Sequence, residues 1–240
     1  IREKLITTTF PSILFTQVPL RNPHTALAFR GPQNFVLPHV WFANLHATNP
    51  EAFRTRVCAT QARLQQFWYA MRNHPQMQGH PVRDRHDWTK RAIPISIHGD
   101  GVPVAGVGKA WAKSMNVFSW NSLVALGSTK QFNFFMYGIW KTMICELNGQ
   151  KTMRVVWRIL CWSLRQLWLG KWPTHDWNNN LLTAPADVAR AGTPLAGTAA
   201  NYHFCVLWCI RGDLEYVSSE LMLPHSNRND PCCYCPADTV

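Results

Sequence analysis

Between residues 93 and 210 the chain sets out three strand-like runs, one long helical run and a further strand-like run. That order constrains the fold more than any other feature. Residues 93–104, 117–126 and 132–140 are rich in β-branched, apolar and aromatic side chains. Short turn signals, Gly106-Val-Gly108 and Gly127-Ser-Thr129, separate them. Residues 151–169 have a helical period: Val155, Val156, Ile159, Leu160, Trp162, Leu167 and Trp168 fall on a face suited to a sheet, and Gly170 is a natural C-cap. Residues 171–200 read as a long loop, and stretches of that length in compact domains are usually functional or insertions. Residues 202–210 form a fourth strand. A short helix over 214–223 follows Gly212, and Pro224 breaks it. The sum is an α/β order.

The first 92 residues have a different grammar. Residues 1–50 read as an irregular arm with one short strand at 12–18. A helix is expected over 50–72, capped by Asn49 and opened by Pro50, with Phe53, Val57, Leu64, Phe67, Trp68 and Met71 on one stripe. His74-Pro75 ends it. A polar, basic connector over 76–91 sets a domain boundary near residue 92. The chain begins at Ile1 and stops five residues after Cys235, so it reads as a fragment of a longer product.

Charge is uneven. The net charge is +11, and residues 1–92 hold twelve Lys and Arg against four Asp and Glu. Such a segment suits a polyanion, nucleic acid before membrane, or else a generally basic solvated surface. The most apolar helical stretch, 153–169, is interrupted by Arg154, Arg158 and Arg165, and no uncharged run has the length of a membrane span. With no secretory signal read at the start, the eight cysteines are expected to be reduced thiols or metal ligands.

Two carboxylates carry the chemistry. Asp100 ends the run Ile-Pro-Ile-Ser-Ile-His-Gly-Asp100, and Asp213 ends Phe-Cys-Val-Leu-Trp-Cys-Ile-Arg-Gly-Asp213. A strand that stops at Gly-Asp sets a carboxylate where the sheet meets solvent, and two on neighbouring strands can share divalent cations. Strand alternation puts Ser96, His98 and Asp100 on one face and Ile95 and Ile97 on the other. The competing reading of Gly-Asp100-Gly is a tight turn. Lys151, Arg154, Arg158 and Arg165 form one stripe on the long helix, as phosphate contacts or an ordinary solvated face. Cys232, Cys233 and Cys235, with His225, have zinc-ligand spacing. Cys58, Cys145, Cys161, Cys205 and Cys209 lie in apolar contexts expected to be core. Trp172 and Trp177 suit either loop anchoring or stacking on unpaired bases.

Taken together, Ile-His-Gly-Asp100-Gly-Val-Pro, the strand and helix stretch, Ile-Arg-Gly-Asp213-Leu-Glu-Tyr, Leu-Pro-His and the Cys cluster resemble the CACTA-like and related DDE-type transposases. The chain is also similar to mobile-element-derived protist proteins. The resemblance implies an RNase H-like mixed sheet with flanking helices over 93–240, with a Cys-rich, zinc-knuckle-like insertion starting near 225. It implies Asp100 and Asp213 as the first two acids of a triad binding magnesium or manganese, the third acid lying past Val240. Cys232, Cys233 and Cys235 would begin a structural zinc site. It further implies DNA as partner, a homo-oligomer, a nuclear location and no membrane. The expected activity is metal-dependent DNA cleavage and strand transfer, absent from this fragment alone. Two rivals stand beside it. One is a non-catalytic nucleic-acid-binding or domesticated mobile-element protein with a structural zinc. The other is an interaction protein that buries its Trp-rich faces against a partner.

Overall fold

A mixed four-stranded sheet organises the computed structural model, which describes residues 10–105 and 113–212. The chain opens with a hairpin of β1 (Leu14–Arg21) and β2 (Ala28–Phe35), then α1 (Pro38–Thr48), α2 (Pro50–Phe53), α3 (Gln61–Met71) and the single turn α4 (Trp88–Arg91). The sheet strands β3 (Ala92–Ala105) and β4 (Lys113–Ser122) follow, then the turn α5 (Thr129–Phe132) and β5 (Phe134–Trp140). A small ladder of β6 (Glu146–Leu147) and β7 (Gln150–Lys151) leads into α6 (Thr152–Leu169). The long connection after α6 carries α7 (Pro185–Arg190) and ends in β8 (Phe204–Arg211). The sheet order is β5-β4-β3-β8. β3–β4 and β4–β5 are antiparallel, whereas β3 and β8 are parallel, so the chain must cross over between them, and α6 lies in that crossover. This is the α/β class expected, with helices flanking a mixed sheet.

Alternation along β3 decides what covers each face. Ile93, Ile95 and Ile97 are at most 1% exposed and share one apolar cluster with Val155, Val156, Ile159 and Leu160 of α6. Phe118 and Trp120, opposite Gly99 and Ile97 on β4, belong to the same layer. Phe118 meets Trp157 edge to face. Among the described residues, the apolar cover of the other face lies at the start of β3. There Ala92, Phe204 and Val206 join Leu64 and Trp68 of α3, and the Trp68 indole donates to the Ala92 carbonyl at 2.8 Å.

The N-terminal segment is more ordered than its composition suggests. It contains β2 and α1 as well as β1, and all three are tied to the later chain. Val36 N–H donates to the Met136 carbonyl, the Thr152 hydroxyl to the Pro19 carbonyl, and the Trp41 indole to the Phe135 carbonyl. The larger apolar cluster accordingly draws residues from both sides of residue 92.

The helix expected over 50–72 is broken. α2 runs into a π-turn over Arg54–Cys58, Ala59 takes φ +57°, and Thr60 then caps α3 by accepting from Arg63 N–H. The break resets the phase, so Phe53 and Val57 enter the α6 cluster whereas Leu64 and Trp68 enter the second one. α6 itself ends as the sequence indicates. Gly170 takes φ +70° and its N–H closes on the Gln166 carbonyl at 2.8 Å. No helix among the described residues is long and apolar enough to cross a membrane. The Gly106–Gly108 turn and the expected helix over 214–223 lie outside the described residues.

Candidate functional site

Asp100 stands on β3, an inner strand of the sheet, opposite Val117 on β4. His98 and Ser96 precede it on the same face, paired with Ser119 and Asn121. That face is the one turned away from α6, because the intervening isoleucines fill the α6 side. Towards Asp100 the cover thins: Ser96 and Asn121 are buried, whereas His98, Asp100, Val117 and Ser119 are partly exposed. Among the described residues the cover is therefore thinner at the Asp100 end of this face, and Asp100 is partly exposed. On the other side of the backbone, a side chain added at Gly101 would meet the Lys141 ammonium at 3.3 Å, so glycine there admits that cation close to the main chain.

A polar network fixes the β3–β8 register just short of Asp100. Ser96 Oγ accepts from Arg211 Nε at 3.0 Å and Nη2 at 2.7 Å, and donates to Asn121 Oδ1 at 2.8 Å. Arg211 Nη2 also donates to Asn121 Oδ1, and Asn121 Nδ2 donates to Asn133 Oδ1 at 2.7 Å. His98 is the last β3 residue paired in register with β8, and its partner is Arg211. Arg211 was not among the residues singled out from the sequence, although it lies within the Ile-Arg-Gly-Asp run. Asp213, His225, Cys232, Cys233 and Cys235 lie outside the described residues. Among the described residues no group of three or more His, Cys, Asp or Glu side chains is arranged to hold a metal ion. Asp100 supplies one hard oxygen ligand of the kind magnesium or manganese prefers.

The basic stripe lies on a different layer. Lys151, Arg154, Arg158 and Arg165 are all exposed, on the side of α6 opposite its buried Val156, Ile159 and Leu160. Lys151, Arg154 and Arg158 thus face away from the sheet, with the helix between them and Asp100. Lys151, Arg154 and Arg158 line one cleft of about 310 Å³, and Arg30 reaches its rim by donating to Gln150 at 2.5 Å. Arg158 also bonds Asn178 and covers the Trp177 ring at 4.7 Å, so the long loop competes for it. Arg165 lies apart, in an apolar cavity with Trp168 and Leu207. Cys161 falls on this outer stripe and is exposed, not core, because it follows Arg158 by three residues. Cys205 is buried as expected, and Cys58, Cys145 and Cys209 are half-buried.

The loop tryptophans act as anchors. Arg190 lies over Trp172 at 3.8 Å, and both Trp172 and Trp177 pack against the main apolar cluster. Asp176 turns the loop between them, accepting from the N–H groups of Asn178 and Asn180. Burial works against its ionisation, but these bonds outweigh it and hold the carboxyl below its usual range.

No protein family, curated protein or solved structure matches the chain in sequence or fold comparison.

Proposed function

We propose that this chain is part of a transposase-like, RNase H-like protein whose sheet presents Asp100 and Asp213 to divalent cations for DNA cleavage and strand transfer. One observation carries the reading: Asp100 is partly exposed on an inner strand that has an antiparallel neighbour on one side and, on the other, a parallel neighbour reached through a helical crossover. The reading requires the chain to continue two residues beyond the His98 and Arg211 pair in unchanged register, which would set Asp213 opposite Asp100. Two carboxylates in that relation suit magnesium or manganese, and such ions polarise phosphodiester oxygens and activate water or a 3′-hydroxyl. The protein's own part is to hold the oxygens in place, which the network from Arg211 to Ser96 and Asn121 does for the adjoining strands. Because only two acids are assigned, these 240 residues are expected to bind cations without turning over.

The test is Mn2+ binding followed by electron paramagnetic resonance and calorimetry. Wild-type chain should take up Mn2+, and Asp100→Asn and Asp213→Asn should each abolish uptake while leaving the circular dichroism unchanged. Uptake indifferent to both substitutions contradicts the reading.

The second reading, nucleic-acid binding without catalysis, is favoured by the cleft that gathers Lys151, Arg154 and Arg158 on the layer away from Asp100. It predicts salt-sensitive DNA binding that survives Asp100→Ala and Asp213→Ala. In that reading, zinc held by Cys232, Cys233, Cys235 and His225 has a purely structural role.

A further inference from the structure

Beside the basic cleft of α6 lies a second cavity, of about 560 Å³, bounded by β1, the start of α1, α6 and the long loop before β8. That size suits a small organic group rather than a bare ion. The rings of Phe15, Trp162 and Trp177 line it, together with Leu37, Val40 and Leu182. Phe15 is 68% exposed, so its ring is presented rather than packed away. Trp162 and Trp177 are partly buried and held in place. The Trp162 indole donates to the His175 carbonyl at 3.1 Å, and Trp177 packs on the main apolar cluster.

One side chain joins cleft and cavity. Arg158 stands in the wall of the cleft, and it also bonds Asn178 and covers Trp177, both of which line the cavity. The helix sets the same order. Arg154, Arg158 and Trp162 follow one another at intervals of four residues, so they share one side of α6, each about 6 Å further along its axis. Cations thus give way to an aromatic wall within about one helical turn.

Charge separates the two spaces. Among the described residues, the cleft has Lys151, Arg154 and Arg158 in its wall and no carboxylate. The cavity has Asp176 and Asp187 against Arg190, which Asp187 already engages at 2.6 Å. Its buried His39 is neutral at pH 7, because burial, with Arg190 nearby, lowers its pKa to about 3. A phosphate is therefore drawn to the cleft and disfavoured in the cavity, whereas a flat uncharged ring meets aromatic and apolar walls there. A polymer that alternates phosphates with neutral rings suits both spaces when its rings are unpaired. We propose that the cavity receives an unpaired base of single-stranded DNA whose neighbouring phosphates lie in the basic cleft. The inference rests on the nucleic-acid-binding reading of that cleft, and none of its residues belongs to the Asp100 face of the sheet.

Fluorescence anisotropy on the full chain tests it with two labelled probes of about twelve nucleotides, oligothymidine and a strand of equal length that is abasic throughout. The two carry the same phosphates, and only the first offers the cavity a ring. Oligothymidine should bind about tenfold or more tighter at matched salt. The slope of log K against log salt should agree between the probes to within about one, because the cleft takes the phosphates of both. Phe15→Ala, a change at an exposed residue, should cut the affinity ratio to about threefold or less with unchanged circular dichroism. Leu182→Trp, which fills the cavity without removing a cation, should do the same. Equal affinity for the two strands, or a ratio unmoved by both variants, overturns the proposal and leaves the reading of the cleft standing. Failure of either strand to bind at low salt overturns that reading and the proposal with it.

Discussion

Arg211 donates from Nε and Nη2 to the single hydroxyl oxygen of Ser96, although 115 positions separate them in sequence. The contact links β8 to β3, and through Asn121 it reaches β4 and Asn133. It lies next to the last paired residues of the parallel ladder, so it fixes the register in which the two strands approach Asp100.

Ser96→Ala removes one donor and the acceptor of two charged hydrogen bonds from a fully buried position. The expected cost is about 1–3 kcal/mol, with the Asn121 amide left short of a partner. Urea unfolding measures it, and an unchanged midpoint would mean that the network does not hold the register.

His39 makes stability depend on pH. It lies buried between α1 and α6, its Nδ1 2.8 Å from the Ser163 hydroxyl and its ring edge-on to Trp162 and Trp172. Burial, with Arg190 nearby, lowers its pKa from 6.5 to about 3. The folded state therefore refuses a proton that the unfolded chain accepts. The contribution of this neutral histidine is fully present above pH 6.5 and is lost as pH falls towards 3. The slope is about 1.4 kcal/mol per pH unit in that window. His39→Gln should lower stability at neutral pH yet flatten the fall between pH 6 and 4 by about that slope, read from urea midpoints at each pH.

Gly170 and Gly192 both have positive φ, at +70° and +73°, but their surroundings differ. A methyl group at Gly170 would lie 2.6 Å from the Tyr202 ring and 2.9 Å from the His203 carbonyl, whereas at Gly192 it would meet open space. Gly192→Ala should cost about 1 kcal/mol from conformation alone, and Gly170→Ala clearly more. Thermal melts of the pair separate backbone strain from the clash.

On the nucleic-acid-binding reading, the α6 stripe predicts a graded loss of DNA binding. Replacing Lys151, Arg154 and Arg158 together by Gln should reduce the slope of log K against log salt by about 2–3. Arg165→Gln, on a separate cavity, should change it by less than one unit if these contacts are local. Fluorescence anisotropy across a salt series checks both.

The sheet and α6 were legible because each has a clean period. Ile93, Ile95 and Ile97 alternate with Ser96 and His98, and the exposed Arg154, Arg158 and Arg165 follow helical spacing. α1 has no such contrast: Pro38, His39, Val40, Phe42, Ala43 and Leu45 are buried around most of its circumference. β2 hides behind Gly31 and Pro32, residues that argue against a strand. The π-turn at Arg54–Cys58 shifts the phase of an otherwise plausible long helix, and no local residue announces the shift. Asp100 was visible as the end of an apolar run. The partner that stabilises its neighbourhood, Arg211, was not, because its role arises from pairing across more than a hundred residues.

The relation of the Asp100 and Asp213 carboxylates is the most direct test of the nuclease-fold reading, and a crystal structure of this chain grown with MnCl2 measures it. The reading predicts an anomalous manganese peak bound by both side chains, with the carboxylates within about 4–8 Å of one another. Carboxylates on opposite faces of the sheet, or a peak held by neither, would contradict it and leave the basic cleft on α6 as the basis of function.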